Sequence, residues 1–312
     1  VIGAGKLNDF LEELKSKFDF FDCKESIIPP KQYFFSPSET TFELEISEKK
    51  ASTPKVMEKK FILYGLSLRD LEAITYLDEI MRKPKKDFFY FRRRQKAFLI
   101  GLTDEHFDIS PGGDVILREL QTGDYVVLAI TKEGEKLLND LNFNFSEIDK
   151  PDYKLSSNDI MPKLREFLLD PELLKDAVER SWKGSPKIWD NLAKQCLGCG
   201  ICTYVCPLCH CFSIEDNIEL SGKSCQRCHK WTACTLPEFA KIAGGYGFHN
   251  TIKERYYNWF YHKFVRGYLE FGKSQCVACG RCREHCPARI DIEKVLSEIK
   301  GYYEKHLRAN SG

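Results

Sequence analysis

The chain has 312 residues, with 47 Lys plus Arg against 46 Asp plus Glu and a formal net charge of +1. That length suits one large domain or two. The balanced charge argues against a general nucleic-acid binder or an acidic tail protein, and no apolar run approaches the ~20 residues that span a bilayer. The unusual figure is 14 cysteines: 13 lie between Cys196 and Cys286, and one, Cys23, lies outside. A disulfide framework belongs to short secreted chains. This chain is long and lysine-rich and opens without a charged-then-apolar signal peptide. Its cysteines therefore read as metal ligands in a reducing compartment, and a cytoplasmic location is expected. Position 1 is Val rather than Met, so the natural start is expected upstream.

Taken in chain order, residues 1–150 hold a single cysteine and read as a small mixed α/β domain, a candidate for partner docking. Val1-Ile-Gly3-Ala-Gly5 shares part of a dinucleotide fingerprint but lacks the preceding strand and the third glycine, so no nucleotide site is expected there. Leu7 to Phe18 reads as a helix, and Pro29-Pro30 and Pro37 mark an extended stretch with turns. Phe61-Ile-Leu-Tyr-Gly65, Phe98-Leu-Ile-Gly-Leu102 and Tyr125-Val-Val-Leu-Ala-Ile130 are short apolar runs ending in Gly or polar residues, the mark of buried strands. Leu66 to Met81 has apolar residues at a helical repeat, and Lys132 to Leu141 also looks helical. Phe88-Phe-Tyr-Phe91 with Arg92-Arg93-Arg94 reads as a docking face or a solvated strand end. A linker with Pro151, Ser156-Ser157-Asn158 and Pro162 follows, with Asp159 a candidate cap. Residues 151–312 then read as a mostly α-helical, ferredoxin-like domain. Helices are expected over Met161 to Trp189, broken at Gly184-Ser185-Pro186, and around 237–243, 252–270 and 290–306. The overall class is α+β. The aromatic-rich stretch Tyr256, Tyr257, Trp259, Phe260, Tyr261 and Phe264 is expected to pack as core beside the cysteine loops.

The chemistry is carried by a duplicated motif. Cys196-Leu-Gly-Cys199-Gly-Ile-Cys202-Thr-Tyr-Val-Cys206-Pro207 and Cys276-Val-Ala-Cys279-Gly-Arg-Cys282-Arg-Glu-His-Cys286-Pro287 both fit C-x2-C-x2-C-x3-C-P, the run used by [4Fe–4S] ferredoxins. Three thiolates two residues apart can wrap one cubane, and Gly200 and Gly280 can take backbone conformations that a Cβ would hinder. In two-cluster ferredoxins the fourth cysteine ligates the other cluster. Cluster one is therefore assigned Cys196, Cys199, Cys202 and Cys286, and cluster two Cys276, Cys279, Cys282 and Cys206. Zinc, which also accepts four thiolates, more usually pairs two C-x2-C knuckles.

Five further cysteines stand between the motifs. Cys209, Cys211, Cys228 and Cys234, with Cys225 as alternate, form a candidate third iron–sulfur site; zinc or reduced thiols packed beside the clusters are the alternatives. His210, His229 and His285 could donate hydrogen bonds to sulfur or stand as polar loop residues. Arg281, Arg283 and Arg289 could stabilise a reduced cluster or face solvent or an anionic partner. No Ser/His/Asp arrangement, paired-carboxylate motif or phosphate loop stands out, so no catalytic residue, flavin or nicotinamide is expected on this chain. An electron-transfer subunit, a structural iron–sulfur scaffold and a disulfide- or persulfide-reducing subunit using the intermotif cysteines are the readings these residues allow.

Cys196 through Asp216 (CLGCGICTYVCPLCHCFSIED), Trp231, Cys234, Ala243-Gly-Gly245, His262-Lys-Phe264 and the second motif through Ile292 closely resemble the β subunit of sulfhydrogenases, the soluble group 3 nickel–iron hydrogenases. The A subunit of anaerobic sulfite reductase shows the same pattern. Ile28-Pro-Pro-Lys-Gln-Tyr-Phe-Phe-Ser-Pro37 is similar to a Pro-Pro-Lys segment of that family, so the resemblance covers nearly the whole chain. It implies an electron wire in a hetero-oligomer, between an FAD- and NAD(P)-binding subunit and a catalytic subunit that handles hydrogen, sulfur or sulfite. The family's N-terminal half also carries cysteines, one in a Gly-x-His-Ala-Cys-Asp segment. Here Gly65-Leu-Ser-Leu-Arg69-Asp70 and Thr103-Asp-Glu-His106 stand at the matching places, so a cluster there is expected to be absent. Cys225 and Cys228 exceed the family pattern.

Overall fold

A computed structural model describes residues 1–54, 59–105, 112–148, 151–153 and 160–306. Along the chain run α1 (Leu7–Lys17), β1 (Asp19–Asp22), β2 (Ser38–Glu45), β3 (Lys50–Ser52), β4 (Phe61–Leu66), α2 (Leu68–Ile80), α3 (Phe88–Arg94), β5 (Ala97–Thr103), β6 (Val115–Glu119), β7 (Tyr125–Ala129) and α4 (Lys132–Asn139). They are followed by α5 (Pro162–Leu168), α6 (Pro171–Gly184), α7 (Pro186–Gln195), α8 (Ile201–Tyr204), β8 (Phe212–Ile218), β9 (Ser224–Trp231), α9 (Ile252–Phe260), a π-helical segment (Tyr261–Arg266), α10 (Gly267–Phe271), α11 (Arg281–Glu284) and α12 (Ile292–His306). The class is α+β. Ser156 to Asp159, including the candidate cap, lies outside the described residues, as does His106.

The chain forms two units: Val1–Phe35 with Lys55–Asn158, and Ser36–Pro54 with Asp159–Gly312. In the first, a five-stranded sheet runs β1-β4-β5-β6-β7. Its first four strands are parallel, and β7 closes it antiparallel to β6. A strand covered on both faces must be apolar along its whole length. Phe61, Ile62, Leu63 and Tyr64 of β4 are fully buried. Leu71 of α2 approaches β5 so closely that a Cβ on Gly101 would lie 2.8 Å from its Cδ1. Ile2 makes an antiparallel bridge to Tyr125, the first residue of β7. Phe88 to Arg94, expected as a strand end or docking face, form helix α3. Asp87 caps it, and its three arginines fill the last turn, where they complement the helix dipole.

The second unit contains an antiparallel sheet in the order β3-β2-β9-β8, so it is less purely helical than its sequence suggests. Strand β2 pairs with β9 across nearly 190 residues, with Thr40 opposite Cys228 and Leu44 opposite Cys225. That ladder places residues 36–54 in the second unit. The remainder is helical. The core gathers Trp189 of α7, Trp259 and Phe260 of α9, Phe264 of the π segment and Leu296 of α12, all almost wholly buried. Helix α9 starts with a capping box, Thr251 and Glu254 each accepting from the other's backbone. It then continues through the π segment into α10 without a break. No described helix is long and apolar enough to cross a membrane.

Candidate metal centre

Each cysteine motif folds the same way. Gly200 (φ 81°) and Gly280 (φ 76°) are left-handed and start the short helices α8 and α11. Their amide-to-carbonyl turns match: Thr203 N to Gly200 O at 2.9 Å, and Arg283 N to Gly280 O at 2.9 Å. Only glycine fits either place. Besides the φ, an added Cβ would lie 2.8 Å from Ala233 Cβ at position 200 and 2.7 Å from Ile160 Cγ2 at position 280. The first sulfur of each motif accepts an amide two residues on, Gly198 N to Cys196 Sγ at 3.4 Å and Ala278 N to Cys276 Sγ at 3.5 Å.

Two concave spaces result. The first, about 460 Å³ including its open mouth, is lined by Cys196, Cys199, Cys202 and Cys286, together with Tyr256, Trp259 and Ile292. The second, about 350 Å³ on the same measure, is lined by Cys206, Cys276 and Cys279, together with Met161, Leu164, Lys263 and Ile292. Cys282 and Ile292 line both, so the two spaces are adjacent. The structure thus gathers the fourth cysteine of each motif with the first three of the other. Tyr256 and Trp259, stacked at 5.8 Å between ring centres, wall the first space.

The donor set fits iron–sulfur centres. Burial pushes the thiols of Cys202 and Cys276 up to about 12 and that of Cys282 well above its ordinary range. Such sulfurs lie inside as thiolates only opposite a strong positive charge, and a bound metal supplies one. Among the described residues no three His, Cys, Asp or Glu side chains converge on a single ion. A cubane, by contrast, presents its irons at separate corners and takes thiolates that stand apart.

Lys263, which sequence reasoning left without a role, belongs to this site. It sits in the π segment, buried, with Nζ 3.0 Å from Cys206 Sγ and 3.3 Å from Gln275 O. Burial pulls its ammonium down, but the sulfurs of Cys206, Cys209 and Cys276 outweigh that and hold it well above the ordinary lysine value. No local signal singles it out, because Arg255 is a second buried cation on the same helical face and the partner Cys206 lies 57 positions away.

The intermotif cysteines divide. The Cys209 thiol lies against Cys206, and the thiol of Cys234 bonds with Cys211 and stands 3.9 Å from Thr203 Oγ1. Cys225 and Cys228 are elsewhere, three positions apart on β9 and so on opposite sheet faces. Cys228 accepts from Asn217 Nδ2 at 3.3 Å and lies 3.6 Å from Thr40 Oγ1. The Cys211 carbonyl accepts from the amide of Thr232, just past the end of β9 and four residues beyond Cys228, about 13 Å along the extended chain at ~3.3 Å per residue. The expected four-thiol set of Cys209, Cys211, Cys228 and Cys234 is therefore not brought together, because strand pairing holds Cys228 apart.

His210 Nδ1 is 3.1 Å from Leu208 O, and its ring lies 5.8 Å from that of His262. His229 is buried on β9, 3.8 Å from Glu39. His285 ends α11. Arg283 donates to Ile160 O at 2.9 Å, and Arg289 is exposed. Cys23 belongs to the first unit, its amide bonded to Tyr64 O. Arg69, where the family resemblance places a cysteine, faces Glu72 at 2.9 Å and Glu105 at 3.5 Å.

Comparison with known proteins agrees with this site. Residues 195–290 match the 4Fe-4S dicluster domain family. The chain is similar to sulfhydrogenase 2 subunit beta of Pyrococcus furiosus, 30% identical over 293 residues that cover 89% of this chain and 85% of that protein. No solved structure matches.

Proposed function

The chain belongs to the sulfhydrogenase β-subunit family, and from that premise we propose that it relays single electrons within a hetero-oligomeric oxidoreductase. The electrons pass between an FAD- and NAD(P)-binding subunit and a catalytic subunit acting on hydrogen, sulfur or sulfite. The observation that carries the reading is the pair of adjacent cysteine-lined spaces with Cys282 and Ile292 common to both. Cys196, Cys199, Cys202 and Cys286 would hold one [4Fe–4S] centre, and Cys276, Cys279, Cys282 and Cys206 the other. When bound, such centres supply reversible one-electron transfer. The protein's part is positional and electrostatic. Met161, Leu164, Trp259 and Ile292 keep water from the sulfurs, the Gly198 and Ala278 amides donate to them, and exposed Leu197 and Cys199 bring the first space to the surface for exchange with a partner. Hydride chemistry is assigned to a flavin on a neighbouring chain, which splits a two-electron donor into single electrons.

The test is anaerobic purification of the chain with whatever accompanies it, followed by iron, sulfide and nickel analysis and a redox titration. Iron and sulfide for two cubanes, with reversible one-electron reduction, are expected. Centres that do not cycle would replace this reading with a structural scaffold. Nickel at about one per complex places the chain in a hydrogenase; its absence moves the proposal to a sulfur, sulfite or disulfide reductase.

The bonded thiols of Cys211 and Cys234 favour one second reading, a disulfide-reducing pair. Two thiols would form one disulfide and pass two electrons and two protons to the substrate disulfide, and the electron relay would restore them. Loss of disulfide turnover in Cys234→Ser with the iron content unchanged supports it; unchanged turnover excludes it.

A further inference from the structure

The two cysteine motifs are near copies in backbone but differ in what touches the fourth sulfur. Cys286 Sγ accepts from a neutral amide, Ile290 N, at 3.3 Å. Cys206 Sγ accepts instead from the Lys263 ammonium at 3.0 Å. Nζ also bonds Gln275 O at 3.3 Å and lies 5.0 Å from the centre of the Trp259 ring. Lys263 is 4% exposed, so neither water nor salt screens it as they would a surface charge. The first space has a buried cation nearby, Arg255, but its bonds go to the carbonyls of Thr235, His249 and Asn250 rather than to sulfur.

Resting on the reading that the two spaces hold iron–sulfur centres, we propose that Lys263 is a positioning residue that sets a potential: through Cys206 it raises the reduction potential of the centre in the second space more than that of the centre in the first. Taking up one electron adds one negative charge to that centre. A fixed positive charge in hydrogen-bond contact with its thiolate stabilises the reduced form more than the oxidised one. A donor to the sulfur acts in the same direction. The π segment is what makes the contact: its wider turn carries Lys263 inward among Trp259, Gln275 and Cys206, and insertions of this kind recur at functional sites.

The experiment is a redox titration of the anaerobically isolated complex followed by electron paramagnetic resonance, comparing the natural chain with Lys263→Met, Lys263→Gln and Lys263→Arg. Iron and sulfide are counted first. In fully loaded Lys263→Met, one midpoint should fall by at least the equivalent of a tenfold change in the reduction equilibrium, about 59 mV for a one-electron couple, while the other moves by less than a third of that. Lys263→Arg, which keeps the charge, should retain at least half the difference. If Lys263→Met fails to load, Lys263→Gln carries the same thresholds, since it keeps a donor and loses the charge. Loaded centres whose midpoints ignore the substitution, or an Arg variant that falls as far as the neutral ones, overturn the proposal. A natural chain with no iron–sulfur signal overturns the underlying reading and the proposal with it, a result distinct from loaded centres that do not respond to residue 263.

Discussion

At the scale of single residues, the metal region depends on a few positions with no freedom. Gly200→Ala and Gly280→Ala each ask a side chain to adopt a left-handed φ, at a cost of about 1–2 kcal/mol, and to stand under 3 Å from Ala233 or Ile160. Both variants should unfold at lower urea concentration and bind less iron than the natural chain; unchanged iron content would show that the loops tolerate a Cβ. His262 makes a second prediction. Burial, then the charges of His210, Arg266 and Lys263, hold its imidazole at about 3, against 6.5 when exposed. Between those values the unfolded chain binds a proton that the folded chain refuses. Its contribution to stability is therefore complete above pH 6.5 and is lost as pH falls toward 3. The urea midpoint of His262→Gln should vary less between pH 7 and 5 than that of the natural chain, and equal pH slopes would clear His262 of the effect. The left-handed glycine and the short helix within each run of cysteines were readable from spacing, because both are local features of a short loop. Lys263 was not, because its partner Cys206 lies 57 positions away and nothing local calls for a cation there.

At the scale of elements, local chemistry and long-range pairing had unequal visibility. The strands at Phe61, Ala97 and Tyr125 and the helix from Leu68 were readable because each carries its own apolar pattern and ends. Ser67 caps α2: its Oγ accepts from the Asp70 amide and donates to Asp70 Oδ2. The capping box of α9 has the same legible form, and Thr251→Ala should cost about 1 kcal/mol of stability by denaturant titration. A loss well below that would mean the π segment, not the cap, anchors this helix. Strands β8 and β9 escaped notice. Ser224-Cys-Gln-Arg-Cys-His-Lys-Trp231 offers little apolar alternation, and β9 is held by β2 from far upstream rather than by its own propensity. The same pairing explains why Cys228, grouped by proximity in sequence with Cys209 and Cys211, is distant in space.

At the scale of the whole molecule, the second unit joins residues 36–54 to residues 159–312, so the division between units is not a single cut in the chain. No composition shift marks that joining, because it is a property of two strands recognising each other. A fragment of residues 159–312 would lack β2 and leave one edge of β9 unpaired, and bare edges promote aggregation. We expect that fragment to be less soluble than the full chain on sedimentation, and residues 36–54 added as a peptide to restore it. A monomeric, fully soluble fragment would show that β2 is dispensable. The crossing of the two motifs sets a limit on when the protein can be made ready. Neither cysteine-lined space has all its walls until Ile292 has emerged from the ribosome. The 90 residues from Cys196 to Cys286 take about 5–20 s to synthesise. For that interval the first motif offers its thiols without the fourth cysteine that lines its space, and a nascent chain stalled before the second motif is exposed to oxidation in proportion to the length of the pause.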